Sequence, residues 1–527
     1  MDAGVVAVSE TSPLEWRYTA EGGANLVLSY AGHAEPALVG QALRLRKRKR
    51  RPDAAQPIPD RVEARFGESV VHPLLGQDLC LHARIAHLTT KWLESVARML
   101  HQQGARPAER ELEDEIDPTA QSGVLVEDLI AGQGVLSIEI KPKWGFLPSP
   151  THLSPATAPL KSTYCRTCLH RAYKQRGKEP AAVDCERGGY CPLDLYSRDQ
   201  ARMAHALRQL WTAWNSSAGE ANNLRFFLNG QLVKPGQPET RMFEATLAAC
   251  STTSSQEDDN DDHTTPRKGF VSTLLPILLS SSVLPRLSAL QAALDPLDIE
   301  GLADRIRLET GLDLYDNHEP AAEGGSGRLA PTAGNSKMRV GEGGGGEGQP
   351  TLQEWSEWLE RWKAAHGGQE ARLDDDDDNM AARTDLSPDD AMAPPSLQLR
   401  DLVLAYLLSA TFKDCSVFIR LPWPPTPSAT AAAEAALLQA SRPARASASA
   451  SSSVPVPLPS KPELELEHES ESAAAAVVIK VIDLDPKPIA RLAKYAKMDR
   501  DIVEHYRREI VAVAEREGSQ LPKRCMV

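Results

Sequence analysis

Glu139, Lys141 and Lys143 occupy alternate positions in the segment SIEIKPKWGFLP, residues 137–148. Side chains two apart on a strand share one face. A strand here therefore aims one carboxylate and two ammonium groups the same way, about 7 Å apart, while Ile138 and Ile140 face a core. Pro142 cannot donate to a ladder and marks a strand end or an edge. Such a row suits either an exposed polar face or a highly anionic ligand.

Other stretches carry compatible chemistry. EGGAN, residues 21–25, precedes the β-rich LVLSY. Adjacent glycines let a backbone approach a ligand, and its N–H groups can cradle phosphate oxygens; an ordinary turn has the same composition. Seven of the eight residues from 44 to 51, in LRLRKRKRR, are basic. That run reads as a solvated charge run, as a nuclear-import signal, or as a phosphate contact at Arg44, one hairpin strand from the glycine turn. Asp414 stands between a predicted helix and a predicted strand in SATFKDCSVFIRL. It reads as a cap, or as a carboxylate that takes a hydroxyl proton and binds magnesium. In VIDLDPKPIARLAKYAK, Asp483 ends a strand, and Lys487, Arg491 and Tyr495 recur at the spacing of one helix face. Such a face is a phosphate clamp, or an amphipathic helix with its charges in water. Cys165, Cys168, Cys185 and Cys191 give C-x2-C-x16-C-x5-C, near some zinc spacings. The last gap is unusual, so reduced thiols are the expected state.

The elements that must position these residues follow from hydrophobic period and turn chemistry. NLVLSYAG and ALVGQALRLR predict a hairpin across HAEP. Residues 76–103 carry helical spacing. GVLVEDLI and GVLSIEI predict two strands around a glycine-containing turn, and NLRFFLNGQLV another hairpin. Residues 200–214, SLQLRDLVLAYLLSATF and the C-terminal DRDIVEHYRREIVAVAEREG predict helices; SVFIRL and AVVIKVIDLD predict strands. The long apolar stretch GFVSTLLPILLSSSVLPRLSALQAAL is broken by Pro276, Pro285 and Arg286, which favours buried helices over a membrane span. Residues 251–266, 319–350, 368–397 and 424–475 are acidic, glycine-rich or Pro/Ala/Ser-rich, and predict disordered surface insertions.

The net charge of −13 disfavours a general nucleic-acid binder. Residues 1–13 lack the apolar core of a signal peptide, and the eight scattered cysteines read as intracellular thiols. No P-loop, H-R-D or D-F-G is present, which disfavours a standard NTPase or protein kinase. The expected fold is α+β and two-lobed, kinase-like. Residues 1–130 would form a β-rich N-lobe, and residues 131–527 a larger mixed α/β C-lobe.

Taken together, EGGANLVLSYAG, VGQALRLRK, EIKPKWGFLP, CLHRAYK with CPLDLYS, NNLRFFLNG, AYLLSATFKDCS and IDLDPKP, in that order, resemble the inositol-pentakisphosphate 2-kinases. The E-x-K-P-K box with its flanking GFLP is the most specific of these. The resemblance implies transfer of phosphate from ATP to the 2-hydroxyl of inositol 1,3,4,5,6-pentakisphosphate, giving the hexakisphosphate (phytate), with magnesium. It implies that Gly22, Gly23, Ala24 and Asn25 form the ATP loop and that Arg44 contacts ATP phosphates. Glu127 and Asp128 fall where the hinge meets adenine; the family pattern there is Asn-Asp-His, and this chain reads Glu-Asp-Leu. Glu139, Lys141 and Arg225 would serve the nucleotide. Arg110, Lys143, Lys174, Asn222, Lys487, Arg491 and Tyr495 would hold the inositol phosphates. Asp414 would be the general base, and Asp414 with Asp483 would bind magnesium. Plant members also carry a Cys/His zinc site before the helix leading to the catalytic Asp; this chain has no cysteine between 250 and 415. A monomer without nucleic-acid or membrane partners, in nucleus and cytoplasm, is the accompanying expectation. Five phosphates carry about −8 to −10 charges, and a net-acidic chain must gather cations locally to receive them. An inositol phosphate kinase with another acceptor, a non-catalytic sensor and a nucleic-acid binder on residues 44–51 are the alternatives.

Overall fold

The structure, a computed structural model, describes residues 8–50, 59–176, 189–249, 264–316, 348–370, 398–424, 477–518, 521 and 524–526. Most of each expected insertion lies outside these residues. Residues 264–266 and 368–370, assigned above to insertions, belong instead to the helices Thr264–Ser280 and Leu352–Glu370.

The chain is mixed α/β and is built on two antiparallel sheets. The first holds β1 (Trp16–Glu21), β2 (Asn25–Tyr30), β3 (Gln41–Lys49), β4 (Arg84–His87), β5 (Asp114–Ile116) and β6 (Ser122–Glu127), in the order β1-β2-β3-β6-β4 with β5 on β3. The second holds β7 (Val135–Ile140), β8 (Leu224–Leu228), β9 (Gln231–Val233), β10 (Ser416–Pro422) and β11 (Val478–Ile482), in the order β11-β10-β7-β8-β9. The hairpin β8/β9 forms as the sequence predicts, and β2 pairs with β3 as expected, but residues 37–40 belong to the connection, which includes the 3-10 turn Pro36–Leu38, and β3 begins only at Gln41. GVLVEDLI and GVLSIEI are both strands, but β6 and β7 belong to different sheets rather than to one hairpin. Residues 76–103 divide into β4 and the helix Thr90–Gln102, which packs Trp92, Leu93, Val96 and Leu100 beneath the first sheet.

Period-2 alternation sorts the first sheet. Leu26, Leu28, Leu43 and Leu45 enter the core with Trp16 and Trp92, while Val27, Ala42, Arg44, Val124 and Val126 line a cleft on the opposite face. Lys47 shares the inward parity of Leu43 and Leu45, so its ammonium must find partners inside. It meets Glu21 at 2.8 Å and Asp114 at 3.0 Å, and Arg106 meets the same two carboxylates at 2.6 and 2.7 Å.

β7 is central, not an edge, and every residue in it is buried. It pairs β10 on one side and β8 on the other, with Glu139 opposite Phe418 and Arg225. The helices Gln200–Ser216, Thr264–Ser280, Val283–Ala293 and Leu399–Lys413 contribute to the large core that includes β7. Leu399–Lys413 is apolar nearly all round because it is buried nearly all round. Among the described residues no single helix is long and apolar enough to cross a membrane; Pro266–Ser280 and Val283–Thr310 pass such a test only as a pair bent by 62°.

Candidate active site

A cleft of about 440 Å³ is lined by residues of both sheets. One wall is Val27, Ala42, Val124 and Val126; another is Leu129, Ile130, Phe227 and Phe418, with the two phenylalanine rings stacked at 6.0 Å. This apolar end suits a flat ring. Asp128 borders it. One oxygen, Oδ1, accepts from the backbone N–H groups of Ile130 and Ala131, both at 3.0 Å. The other, Oδ2, is buried with no hydrogen-bond partner among the described residues. Glu127, at the end of β6, also lines the cleft.

The β1–β2 turn hangs over the same space. Gly22 N donates to Asn25 O at 2.8 Å. Neither Gly22 nor Gly23 has a positive φ, and a Cβ on either would meet nothing within 4 Å. The turn's own conformation therefore does not demand glycine, whereas a ligand packed against its backbone would. With the Asn25 amide oriented by its neighbours, its oxygen accepts from Arg44 Nη2 at 2.8 Å.

Arg44 Nη2 also donates to both oxygens of Asp485, at 3.1 and 3.0 Å, joining the first sheet to the segment after β11. Of the rest of the basic run, Arg46 and Lys47 are buried, Arg48, Lys49 and Arg50 are exposed, and Arg51 lies outside the described residues. Arg46 is buried against Asp60 at 2.6 Å and Glu63 at 3.3 Å, Lys47 lies in the buried quartet above, and Arg48, Lys49 and Arg50 pair with Glu113, Asp114 or Glu115. Glu63 lies on the helix Asp60–Phe66. Burial and the nearby Asp485 carboxylate push its carboxyl up to about 7, against the pull of Arg46 and Arg44.

At the polar end, Glu139 accepts from Ser416 Oγ at 2.8 Å and lies 3.8 Å from Lys141 and 3.5 Å from Arg225. Lys141 Nζ donates to Asp483 Oδ2 at 3.0 Å, and Ser416 Oγ approaches the same oxygen at 3.1 Å. Burial would raise the Asp483 carboxyl, but Lys141 and Arg44 hold it below its ordinary range. Asp483 has φ 62, an uncommon conformation for a residue with a side chain.

Lys143 is not on the strand face expected for it. β7 ends at Ile140, and Lys143 has φ 66. That left-handed turn carries its ammonium to 3.7 Å from Asp414 Oδ1, while Lys487 Nζ lies 3.6 Å from Asp414 Oδ2. Asp414 follows the helix Leu399–Lys413, caps its end by backbone donation to Thr411 O, and leaves its carboxylate 62% exposed. Burial pushes the Lys143 ammonium below its ordinary value, against the pull of Asp414. Lys413 points the other way, buried against Asp295 and 4.1 Å from the Trp144 ring centroid. That contact accounts for the aromatic part of the box.

The expected helix face of Lys487, Arg491 and Tyr495 does not exist as drawn. Residues 483–488 are irregular, Ile489–Arg491 is a single 3-10 turn, and the α-helix begins at Leu492. Lys487 precedes Pro488, and a residue before proline is pushed out of the helical region. Arg491 is exposed; Tyr495 is half-buried, its ring 6.2 Å from that of Tyr406. Arg110, Asn222 and Arg225 line the cleft, and Arg110 lies 3.5 Å from Glu113. Lys174 ends the helix Arg166–Lys174, exposed and outside the cleft lining. Gly23, Ala24 and Asn25 of the turn, and Lys143, Asp414, Lys487, Arg491 and Tyr495, are also outside that lining.

Three residues here were not singled out in the sequence: Glu63, Asp485 and Gln291. Gln291 is fully buried on the helix Val283–Ala293. Its Nε2 donates to Lys143 O at 3.1 Å and Phe412 O at 2.9 Å, and its Oε1 accepts from Gly145 N at 2.7 Å. It thus locks the turn bearing Lys143 to the helix end that presents Asp414.

The model of one family, described as inositol-pentakisphosphate 2-kinase, matches residues 18–501. The chain belongs to the inositol-pentakisphosphate 2-kinase family. This is a family of phosphotransferases, and the match spans both sheets and the cleft. Curated relatives of the same name include a protein of Cryptococcus neoformans, 29% identical over 427 residues, 78% of this chain and 83% of that one. One from Arabidopsis thaliana is 28% identical over 330 residues, 56% of this chain and 69% of its own. One from Danio rerio is 28% identical over 234 residues, 42% and 44% respectively.

Proposed function

We propose that this inositol-pentakisphosphate 2-kinase family member transfers the γ-phosphate of ATP to the 2-hydroxyl of inositol 1,3,4,5,6-pentakisphosphate, producing the hexakisphosphate. The observation that carries this reading is the Asp414 carboxylate, exposed and flanked by the ammonium groups of Lys143 and Lys487. A base for a hydroxyl must be accessible, and an acceptor crowded with phosphates must find cations on both sides of that base.

The first sheet and the residues up to 130 form the nucleotide-side lobe of a kinase-like arrangement, and residues from 131 onward the acceptor-side lobe. Adenine lies between the valine wall and the Phe227–Phe418 stack, with the second oxygen of Asp128 facing its polar edge. The glycine turn and Arg44 take the phosphates, and Arg44 leaves Asp485 to do so. Lys141 and Arg225, both held by Glu139, neutralise charge where the transferred group sits. Lys143, Lys487, Arg491, Lys174, Asn222 and Arg110 surround the inositol phosphates. Asp414 accepts the proton of the attacking hydroxyl, and the displacement is direct and in line.

Asp483 and Asp414 are hard carboxylate donors of the kind magnesium takes. Lys141 and the Ser416 hydroxyl already converge on Asp483 Oδ2, and Asp483 is held ionised. Asp483 and Asp414 would hold the ion, which when bound would neutralise charge on the phosphates. A sensor needs the cations but has no use for Glu139, Asp414 and Asp483.

The test is to incubate the purified chain with magnesium-ATP and the pentakisphosphate and to resolve the products by anion exchange and phosphorus NMR. A later-eluting hexakisphosphate is expected. Tight pentakisphosphate binding without any product would replace the kinase reading with that of a sensor.

A further inference from the structure

The sequence pattern pairs Cys165 and Cys168 with Cys185 and Cys191. The structure assembles a different set. The sulfurs of Cys165, Cys168, Cys191 and Cys525 all lie within 4.8 Å of one another, and all four residues are buried. Cys185 lies outside the described residues. The fourth member comes from the C-terminal tail, 360 positions from Cys165.

We propose that Cys165, Cys168, Cys191 and Cys525 bind one zinc ion as a closed, structural four-thiolate site. The geometry is the first support. A zinc–sulfur bond of about 2.3 Å puts tetrahedral ligands about 3.8 Å apart, and Cys165 Sγ and Cys191 Sγ are separated by 3.8 Å. A disulfide needs about 2.05 Å. The sulfurs surround a volume for one ion, too small for a multi-iron cluster, and four cysteines in a tetrahedron are a zinc set.

The donors around the sulfurs are the second support. Cys168 N donates to Cys165 Sγ at 3.4 Å, and Cys165 N donates to Cys525 Sγ at 3.4 Å. Arg171 Nη2 donates to Cys168 Sγ at 3.0 Å. Four thiolates around a divalent cation keep two net negative charges, which N–H groups and a guanidinium stabilise. Arg171 Nη1 also donates to Tyr190 O at 3.2 Å, beside Cys191. The approach requires Gly189, at φ 132, because a side chain there would run into the guanidinium.

Four protein ligands leave no open position, so the ion serves architecture rather than reaction. Cys165 and Cys168 open the helix that ends in Lys174. Cys191 opens the helix Pro192–Tyr196. From this arm Tyr190 Oη donates to Pro142 O at 2.7 Å and Tyr196 Oη to Lys143 O at 3.3 Å. The tail is anchored by Cys525 N donating to Thr163 O at 3.2 Å and Arg202 Nη2 donating to Met526 O at 2.7 Å. The ion therefore ties the C-terminus to the backbone of the E-x-K-P-K box. The metal site itself does not rest on the phosphotransfer reading.

The experiment is metal analysis of the full chain by plasma mass spectrometry after chelator washing, with cobalt reconstitution as a second readout. One zinc per chain is expected in the wild type and in Cys185→Ser. Cys525→Ser is expected to lose at least about tenfold in zinc retention under the same wash, and to lose the sulfur-to-cobalt charge-transfer band. A wild-type chain without zinc overturns the proposal. So does a Cys185→Ser variant that loses the metal. If Cys525→Ser fails to fold, the wild-type zinc content and the Cys185→Ser result still decide.

Discussion

Lys143 Nζ lies 3.7 Å from Asp414 Oδ1, and Lys143 reaches that position from left-handed backbone at φ 66. Burial holds its ammonium below the ordinary lysine value. An ammonium is charged below its folded pKa and loses its charge as pH rises through it. Pentakisphosphate affinity should therefore weaken with rising pH sooner than an unshifted lysine would allow. Lys143→Arg keeps its charge throughout. Calorimetric titration between about pH 7 and 10 is expected to show the wild type losing more affinity than the arginine variant. Parallel profiles would remove Lys143 from the binding site.

Two lysines, each paired with its own aspartate, are predicted to serve different substrates. Lys141 pairs with Asp483, and Lys487 with Asp414. Lys487→Ala should raise KM for the pentakisphosphate about 10- to 100-fold, the worth of one charge-assisted contact, with little change for ATP. Lys141→Ala should fall chiefly on ATP and kcat. Steady-state kinetics with each substrate varied in turn checks the division, and equal effects on both substrates from either variant would contradict it.

Glu63 supplies a pH signature in stability. Its folded pKa of about 7 lies above the ordinary carboxyl value of 4.5. A raised carboxyl pKa contributes stability that is full below the unfolded pKa and is lost as pH rises through the folded one. Wild type should lose up to about 3 kcal/mol relative to Glu63→Gln between about pH 4.5 and 7. Denaturant melts of both proteins across that window give the difference directly, and a constant gap between them would refute the shift.

The two-residue period of the first sheet was legible: ALRLRK alternates, and Leu43 and Leu45 enter the core. What Lys47 and Arg46 do was not legible, because their partners Glu21, Asp114, Asp60 and Glu63 come from other elements. The box was readable as a strand that stops at Pro142. Its placement at the centre of a sheet depends on β10, which follows hundreds of residues later, and the left-handed turn at Lys143 has no glycine to announce it. The broken face of Lys487, Arg491 and Tyr495 was signalled by Pro486 and Pro488, and spacing alone concealed it. Cys525 has no local pattern, so only the fold brings it to Cys165.

Gln291 is predicted to be a positioning residue. Replacing it with leucine leaves Lys143 O, Phe412 O and Gly145 N without their buried partner. Gln291→Leu should cost about 2–3 kcal/mol in stability and lower kcat more than either KM. A kcat loss in Gln291→Leu with pentakisphosphate affinity within a few-fold of wild type would separate positioning from mere packing. An unchanged kcat in Gln291→Leu would exclude the role.

The most direct test of the account is turnover by Asp414→Asn, measured together with pentakisphosphate binding. The carboxylate lies between Lys143 and Lys487 and is largely exposed, so the amide should leave the fold intact and binding within a few-fold. The account predicts that kcat falls at least about 100-fold, the usual loss on removing a general base. Turnover near that of the wild type would contradict it.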